Sequence, residues 1–503
     1  MALATVFSRA VDGIESPLVS VEVHVANGLP NFSVVGLPEK VVKESKERVR
    51  AALVNSQFDF PAKRVTVNLA PADLPKEGAR YDLAIALGVL AATGQIPLNI
   101  LEAHEFLGEL ALSGEIREVK GILPCVLAAK TAGRSLVIPL YNNREAAHVT
   151  GARIFAVSHL LEACHYLQGK TKLTPNPIES AYTHYVSRVD MNEVVGQFQA
   201  RRALEIAAAG RHSVLMSGPP GTGKTMLASR LPGLLPPMSE KEAVETAAIH
   251  SVSHQGFHHS LWCERPYRNP HHTSSAVALV GGGSHPRPGE ISLAHNGILF
   301  LDELPEFDRK VLEVLREPIE SGYISISRAA RKIRYPARFQ LIAAMNPCPC
   351  GYFGDKKRSC SCSIEQVSRY RSRVSGPLMD RIDIQLQLQR LNQDEAINGN
   401  SMAESSEDIR KRVVAATHCQ LARQGKVNSE LGSLEIAKNC RISEKDQLFL
   451  NAALEKLQLS MRAYHRVLKL SRTIADLECE TEIRTSHISE ALGYRCLDRG
   501  LRA

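Results

Sequence analysis

Eight consecutive residues have the types and spacing to hold a phosphate. Gly218, Pro219, Pro220, Gly221, Thr222, Gly223, Lys224 and Thr225 satisfy G-x-x-x-x-G-K-[ST]. Glycines let backbone N–H groups curl around a β-phosphate. Lys224 supplies a point charge to the β- and γ-oxygens of ATP, and the Thr225 hydroxyl suits Mg2+. Downstream, GILFLDEL (297–304) is an apolar run that ends in Asp302 and Glu303. The first carboxylate would hold Mg2+, and the second would orient and polarise an attacking water. A third run, RFQLIAAMN (338–346), ends in Asn346. Its amide can bond a γ-phosphate or the water, although asparagine before proline also reads as a turn. Cys348, Cys350, Cys360 and Cys362 follow as C-x-C-x9-C-x-C. Two such pairs can form a tetrahedral thiolate zinc site, with knuckles shorter than the usual C-x2-C. The other reading is free thiols in a polar loop.

These groups need elements that bring them together. HSVLMSGPPGTGKTMLASRL (212–231) reads as apolar strand, glycine loop and helix, and the start of that helix adds partial positive charge. If the other two runs are buried parallel strands, their polar residues emerge at the carboxyl ends, where an α/β sheet binds ligands. Residues 188–388 are therefore read as an α/β core. From 389 to 503 strand signals vanish, and IRKRVVAATHCQLARQ, SEKDQLFLNAALEKLQLS and AYHRVLKLSRTIADLE read as helices, with Ser443 as an N-cap for the second. Residues 1–168 mix strand-like SPLVSVEVHV, RVTVNLA and SLVIP with helix-like EKVVKESKERVRAAL, YDLAIALGVLAA and PCVLAAKTAG, and place a hairpin around Ser113-Gly114. Residues 169–187, polar with two prolines, read as a linker.

Composition narrows the class. The 503-residue chain has no apolar run long enough to cross a bilayer, and its N-terminus lacks a basic segment ahead of an apolar core. A cytoplasmic protein with no membrane partner is expected, so its eleven cysteines are not a disulfide framework. The net charge of +8 is modest for this length, and only its placement bears on nucleic-acid binding. Eight histidines between 250 and 295 are read as part of a polar insertion, because no cysteine or carboxylate ligand set accompanies their spacing.

The order of phosphate loop, acidic pair and strand-end asparagine resembles the AAA+ ATPases, where the asparagine is called sensor 1. That resemblance implies more. SGPLMDRID (375–383) looks like the segment carrying an arginine finger, so Arg381 would reach a neighbour's γ-phosphate, with Arg369, Arg371 and Arg373 close enough to compete for the role. SMRAYHRVLKLSRTIADL (460–477) looks like the sensor-2 helix, with Arg462 as its arginine. A finger acting in trans implies a ring, most often a hexamer. RPYRNPHHTSSAVALVGGG (265–283) and PRPGEISLAHNGILFLDELPEF (286–307) resemble the magnesium-chelatase ATPase subunit and its bacterial relatives. The stretch 314–339 fits the hairpin that this branch shares with MCM helicases, turning at Ala329-Ala330 and carrying Arg328, Arg331, Lys332 and Arg334. Such cations in a ring pore would meet DNA phosphates. Residue types alone allow a solvated basic turn equally well.

The stretches 69–88 and 113–139 resemble the protease domain of Lon. Lon's P-K-D-G-P-S-A-G stands here as PKEGARYD, with Arg80 at the serine position, and KGILPCVLAA places Leu123 and Cys125 where Lon carries lysines. No proteolysis is expected without the dyad. A Lon-like α+β domain joined to a chelatase-type AAA+ core and a helical lid is the arrangement of the bacterial YifB/ComM family, and the resemblance spans nearly the whole chain. It implies a hexameric, ATP-dependent DNA translocase or helicase promoting branch migration during natural transformation and homologous recombination, on single-stranded, forked or branched DNA. The alternative is a chelatase-like ATPase that remodels a protein partner.

Overall fold

The computed structural model describes residues 2–175, 189–283, 286–328, 331–355, 357–390, 404–457, 460–495 and 497. The expected linker from 176 onwards and the turn at Ala329-Ala330 lie outside them. The chain forms two units. The first comprises 1–183, 240–262 and 286–288, and the second 184–239, 263–285 and 289–503. Among the described residues no helix is long and apolar enough to cross a membrane.

The first unit is built on a seven-stranded mixed sheet in the order Asn31–Val35, Arg64–Ala70, Leu18–Ala26, Ala2–Arg9, His104–Phe106, Ser135–Pro139 and Ile154–Val157. Alternation in Leu18–Ala26 buries Val19, Val21, Val23 and Val25 on one face. The helix Asp82–Ala92 is apolar all round and buried along its whole length. The expected hairpin forms, with Glu109–Leu110 pairing antiparallel to Ile116–Arg117. The helix Glu240–Ser251 lies in the sequence just beyond the phosphate loop, yet its Ala247 and Ala248 share a core with Ile122 and Val126 of the helix Ile122–Thr131.

The second unit holds a five-stranded parallel sheet in the order Tyr267–Arg268, Ile298–Leu301, Gln340–Met345, Val214–Ser217, Ile384–Gln387. The three middle strands are buried throughout, as expected of parallel strands covered on both faces. Being adjacent and parallel, they deliver Asp302, Asn346 and Gly218 to the same edge of the sheet. Beyond the sheet come helices including Ser406–Gln424, Glu444–Leu457, Met461–Leu477 and Thr485–Gly493. Ser443 Oγ accepts from the Asp446 N–H at 3.2 Å, the capping bond expected there. In Met461–Leu477 the spacing of Ala463, Val467, Leu470 and Ile474 makes the stripe that packs inward. Asp383 joins this helix to the sheet. It is 6% exposed, accepts from the Ser213 N–H at 3.1 Å, and is bonded by Arg466. Burial pushes its carboxyl up, but Arg466, with His212, pulls it far below the usual carboxylate range.

Candidate active site

The chain leaves Val214–Ser217 at Gly218, whose N–H donates to Met345 O at 3.2 Å and ties the loop to the neighbouring strand. Thr222 Oγ1 donates to Pro219 O at 2.9 Å. Gly223, at φ +84°, takes the left-handed turn into Lys224–Arg230 that a side chain would resist. Lys224 Nζ donates to Gly218 O at 2.7 Å, Pro219 O at 3.0 Å and Asn346 Oδ1 at 3.1 Å. All three acceptors are uncharged. Burial pulls its pKa below the ordinary value, against the attraction of Asp302 and Glu303.

Thr225 Oγ1 donates to Asp302 Oδ2 at 2.8 Å, so the hydroxyl and carboxylate that would hold Mg2+ already touch. Both are hard oxygen donors, which fits that ion. The Glu303 N–H donates to Asp302 Oδ1 at 2.9 Å. Glu303 sits at φ 54°, a left-handed conformation that costs a non-glycine residue on the order of 1 kcal/mol or more and tends to persist at functional sites. Its Oε2 lies 3.2 Å from His272 Nδ1. Nothing in the sequence singled out His272 from its seven neighbouring histidines, because the contact joins two separate strand ends.

The two remaining candidate arginines lie elsewhere. Arg381 is 6% exposed, with Nη2 2.5 Å from Glu320 Oε1 and Nη1 donating to Pro377 O at 2.6 Å. Of its competitors, Arg373 pairs with Glu306 at 3.0 Å and Arg371 donates to Pro347 O at 3.1 Å. Arg369 is exposed and has no side-chain hydrogen bond among the described residues. Arg462 lies exposed in the first turn of Met461–Leu477. The fold thus assembles Lys224, Thr225, Asp302, Glu303 and Asn346, and gives neither Arg381 nor Arg462 a polar contact with them among the described residues.

The basic hairpin forms, with Tyr323–Arg328 antiparallel to Arg331–Pro336. Ile324, Ile326, Ile333 and Tyr335 make its buried face. Lys332 and Arg334 lie on the exposed face, and the Arg334 guanidinium stacks 4.1 Å over Tyr323. Cys348 Sγ lies 3.3 Å from Cys350 Sγ and 3.7 Å from Cys360 Sγ, and Cys350 and Cys360 are 3.5 Å apart. With Cys362, all four sulfurs fall within 4.8 Å of one another. Tetrahedral zinc, with Zn–S about 2.3 Å, sets its sulfurs about 3.8 Å apart, so the donor set fits. Burial pushes the Cys350 thiol up, but hydrogen bonds from the Tyr352 and Ser361 backbone and from neighbouring thiols bring it down to about 5.

Comparison with known proteins finds similarity along the whole chain. The family described as magnesium chelatase, subunit ChlI, matches residues 190–396. A further ChlI description matches 21–142, and the subunit's C-terminal description matches 403–495. Competence protein ComM of Haemophilus influenzae is 51% identical over 507 residues, covering 100% of this chain and 99% of its own length. Protein YifB of Escherichia coli is 48% identical over 504 residues, covering 99% of this chain and 98% of its own length. At greater distance, DNA replication licensing factor Mcm6 of Drosophila melanogaster is 26% identical over 224 residues, 42% of this chain and 26% of its own. Identity near one half, sustained from one end to the other, cannot come from a shared phosphate loop alone: the chain belongs to the family of magnesium-chelatase-like AAA+ ATPases that contains ComM and YifB.

Proposed function

We propose that this ATPase drives DNA through a homohexameric ring in the cytoplasm, acting as a helicase that promotes branch migration on single-stranded, forked or branched DNA during natural transformation and homologous recombination. ATP hydrolysis with Mg2+ is the chemistry of its family. The observation that carries the further step is the hairpin Tyr323–Pro336. It is inserted between Glu303 and Asn346, and its base is closed by the Ala337 N–H on Gly322 O at 2.8 Å. Force on Lys332 and Arg334 from a phosphate backbone would therefore be carried into the strand that ends at the nucleotide. The names of two relatives, a competence protein and a replication licensing factor, support DNA as the partner.

In the reading we adopt, Lys224 holds the γ-phosphate, Glu303 takes the proton of the attacking water, and Asn346 orients it. Mg2+, held through Thr225 and Asp302, would neutralise charge on the β- and γ-oxygens. Arg381 of the adjoining subunit and Arg462 complete the site. The four cysteines hold one structural zinc. The first unit is a Lon-type domain without proteolytic chemistry. In support, the positions expected of Lon's dyad meet in space, with Arg80 Nη1 3.7 Å from the buried Cys125 Sγ.

The test is turnover of purified protein with and without forked DNA, alongside its mass in solution with ATP. Forked DNA should accelerate hydrolysis, and Lys332→Ala with Arg334→Ala should lose that acceleration and keep basal turnover. Turnover indifferent to DNA in a chain that stays monomeric would overturn the proposal and turn attention to a protein substrate.

A further inference from the structure

Glu303 must hold one carboxylate oxygen towards water, yet its backbone is strained and its side chain is half exposed. Among the described residues a single side chain grips that carboxylate: His272, with Nδ1 3.2 Å from Oε2. We propose that His272 is the positioning residue for Glu303. This rests on the assignment of Glu303 as the hydrolytic base and is independent of the DNA reading.

The loop that carries His272 is built to hold it still. It leaves the strand Tyr267–Arg268, which lies parallel to Ile298–Leu301, the strand that delivers Asp302 and Glu303. The Ile298 N–H donates to Pro266 O at 2.7 Å. Arg268 clasps Glu290 through two bonds of 2.6 and 2.7 Å, fixing the strand end. Beyond the loop, Ser275 Oγ accepts from the Ala278 N–H at 3.2 Å and caps Ala276–Val280. Between these anchors, His271 Nδ1 accepts from the Thr273 N–H at 3.3 Å, and its ring lies 4.2 Å from that of His272. The Phe307 ring stands edge-on to His272 at 6.5 Å. Pinned on both sides, the imidazole keeps Nδ1 3.2 Å from Oε2, and in this role it would leave Oε1 to accept a proton from water. A carboxylate released from this grip would sample other rotamers, and misplacement of a catalytic group by about 1 Å can cost on the order of 100-fold in rate.

The experiment is steady-state ATP hydrolysis by His272→Ala, His272→Gln, Glu303→Gln and the pair His272→Ala with Glu303→Gln, with nucleotide affinity measured by a fluorescent ATP analogue. We expect His272→Ala to lower kcat about 10- to 100-fold with KM and affinity within about twofold of wild type. Glutamine, which also presents an N–H, should recover part of the loss. Adding His272→Ala to Glu303→Gln should cost nothing further, since the residue it positions is already disabled. Wild-type kcat in His272→Ala, an equal fall in both variants with weakened nucleotide binding, or a full additional loss in the pair would each overturn the proposal while leaving Glu303 in place. Turnover surviving in Glu303→Gln would remove the base itself, and this role with it.

Discussion

Lys224 Nζ donates to Asn346 Oδ1 at 3.1 Å, so the cation of the phosphate loop and the amide of the adjacent strand end are in direct contact. The contact divides labour between a charge and a dipole. Lys224→Ala should abolish ATP binding. Asn346→Ala should retain binding and lose about 10- to 100-fold in kcat. Asn346→Asp is the more telling variant, because a carboxylate at 3.1 Å would engage the ammonium and compete with the phosphate. It should bind ATP more weakly than Asn346→Ala. Equal affinities in a nucleotide titration would show that the two groups do not share a ligand.

Arg381 is held by Glu320 of the same chain. Action on a neighbour requires that pair to open. Glu320 lies in the last turn of the short helix Arg316–Ser321 just before the basic hairpin, so a shift of the hairpin would act on the residue that holds Arg381. Arg381→Ala should lose about 1000-fold or more in turnover while binding ATP normally. Mixing Arg381→Ala with Lys224→Ala chains should restore part of the activity, because an intact loop then faces an intact arginine. Failure to complement would shift the role to Arg369, which stands exposed.

The zinc proposal is checked by metal content and by its consequence for the phosphate loop. Gly351 lies so close to Pro220 that a Cβ there would come within 2.8 Å of Pro220 Cδ. Arg390 bridges the same elements, pairing with Asp355 at 3.2 Å and reaching Pro220 O at 3.5 Å. The protein should carry about one zinc per chain. Cobalt in its place should show thiolate charge-transfer absorption, and Cys348→Ser should lose the metal and weaken ATP affinity. A metal-free chain with full affinity would refute it.

What the sequence made legible follows the range of each interaction. The phosphate loop, the strand-end acids and Asn346 announce themselves because an apolar run and its polar terminus are contiguous, and a parallel sheet gathers strand ends whatever lies between. The strand Ala2–Arg9 is not legible locally although Ala4, Val6 and Ser8 alternate inward, since its existence depends on pairing with Leu18–Ala26. Chain continuity puts the helix Glu240–Ser251 within the expected 188–388 core, whereas packing with Ile122 and Val126 places it in the other unit. The grip of His272 on Glu303 and the burial of Arg381 are likewise long-range facts, written in no local pattern.

The His148 ring stacks on Trp262 with centroids 4.0 Å apart and planes 15° from parallel, and its Nε2 lies 2.8 Å from His259 Nδ1. Burial pulls the His148 pKa down to about 4 from an ordinary 6.5, and His259 adds to the fall. A folded-state pKa below the unfolded one means that unfolding takes up a proton between these values. The contribution of His148 to the stability of the first unit should therefore be complete above about pH 6.5, fall as pH drops towards about 4, and level off below. Trp262 is the only tryptophan in the sequence, so its fluorescence reports this unit alone. Denaturant titrations followed by that signal at pH 7.5, 5.5 and 4 should show the loss. His148→Phe, which keeps a ring against the indole and removes the titrating group, should flatten the slope over that interval; an unchanged slope would assign the pH dependence to other groups.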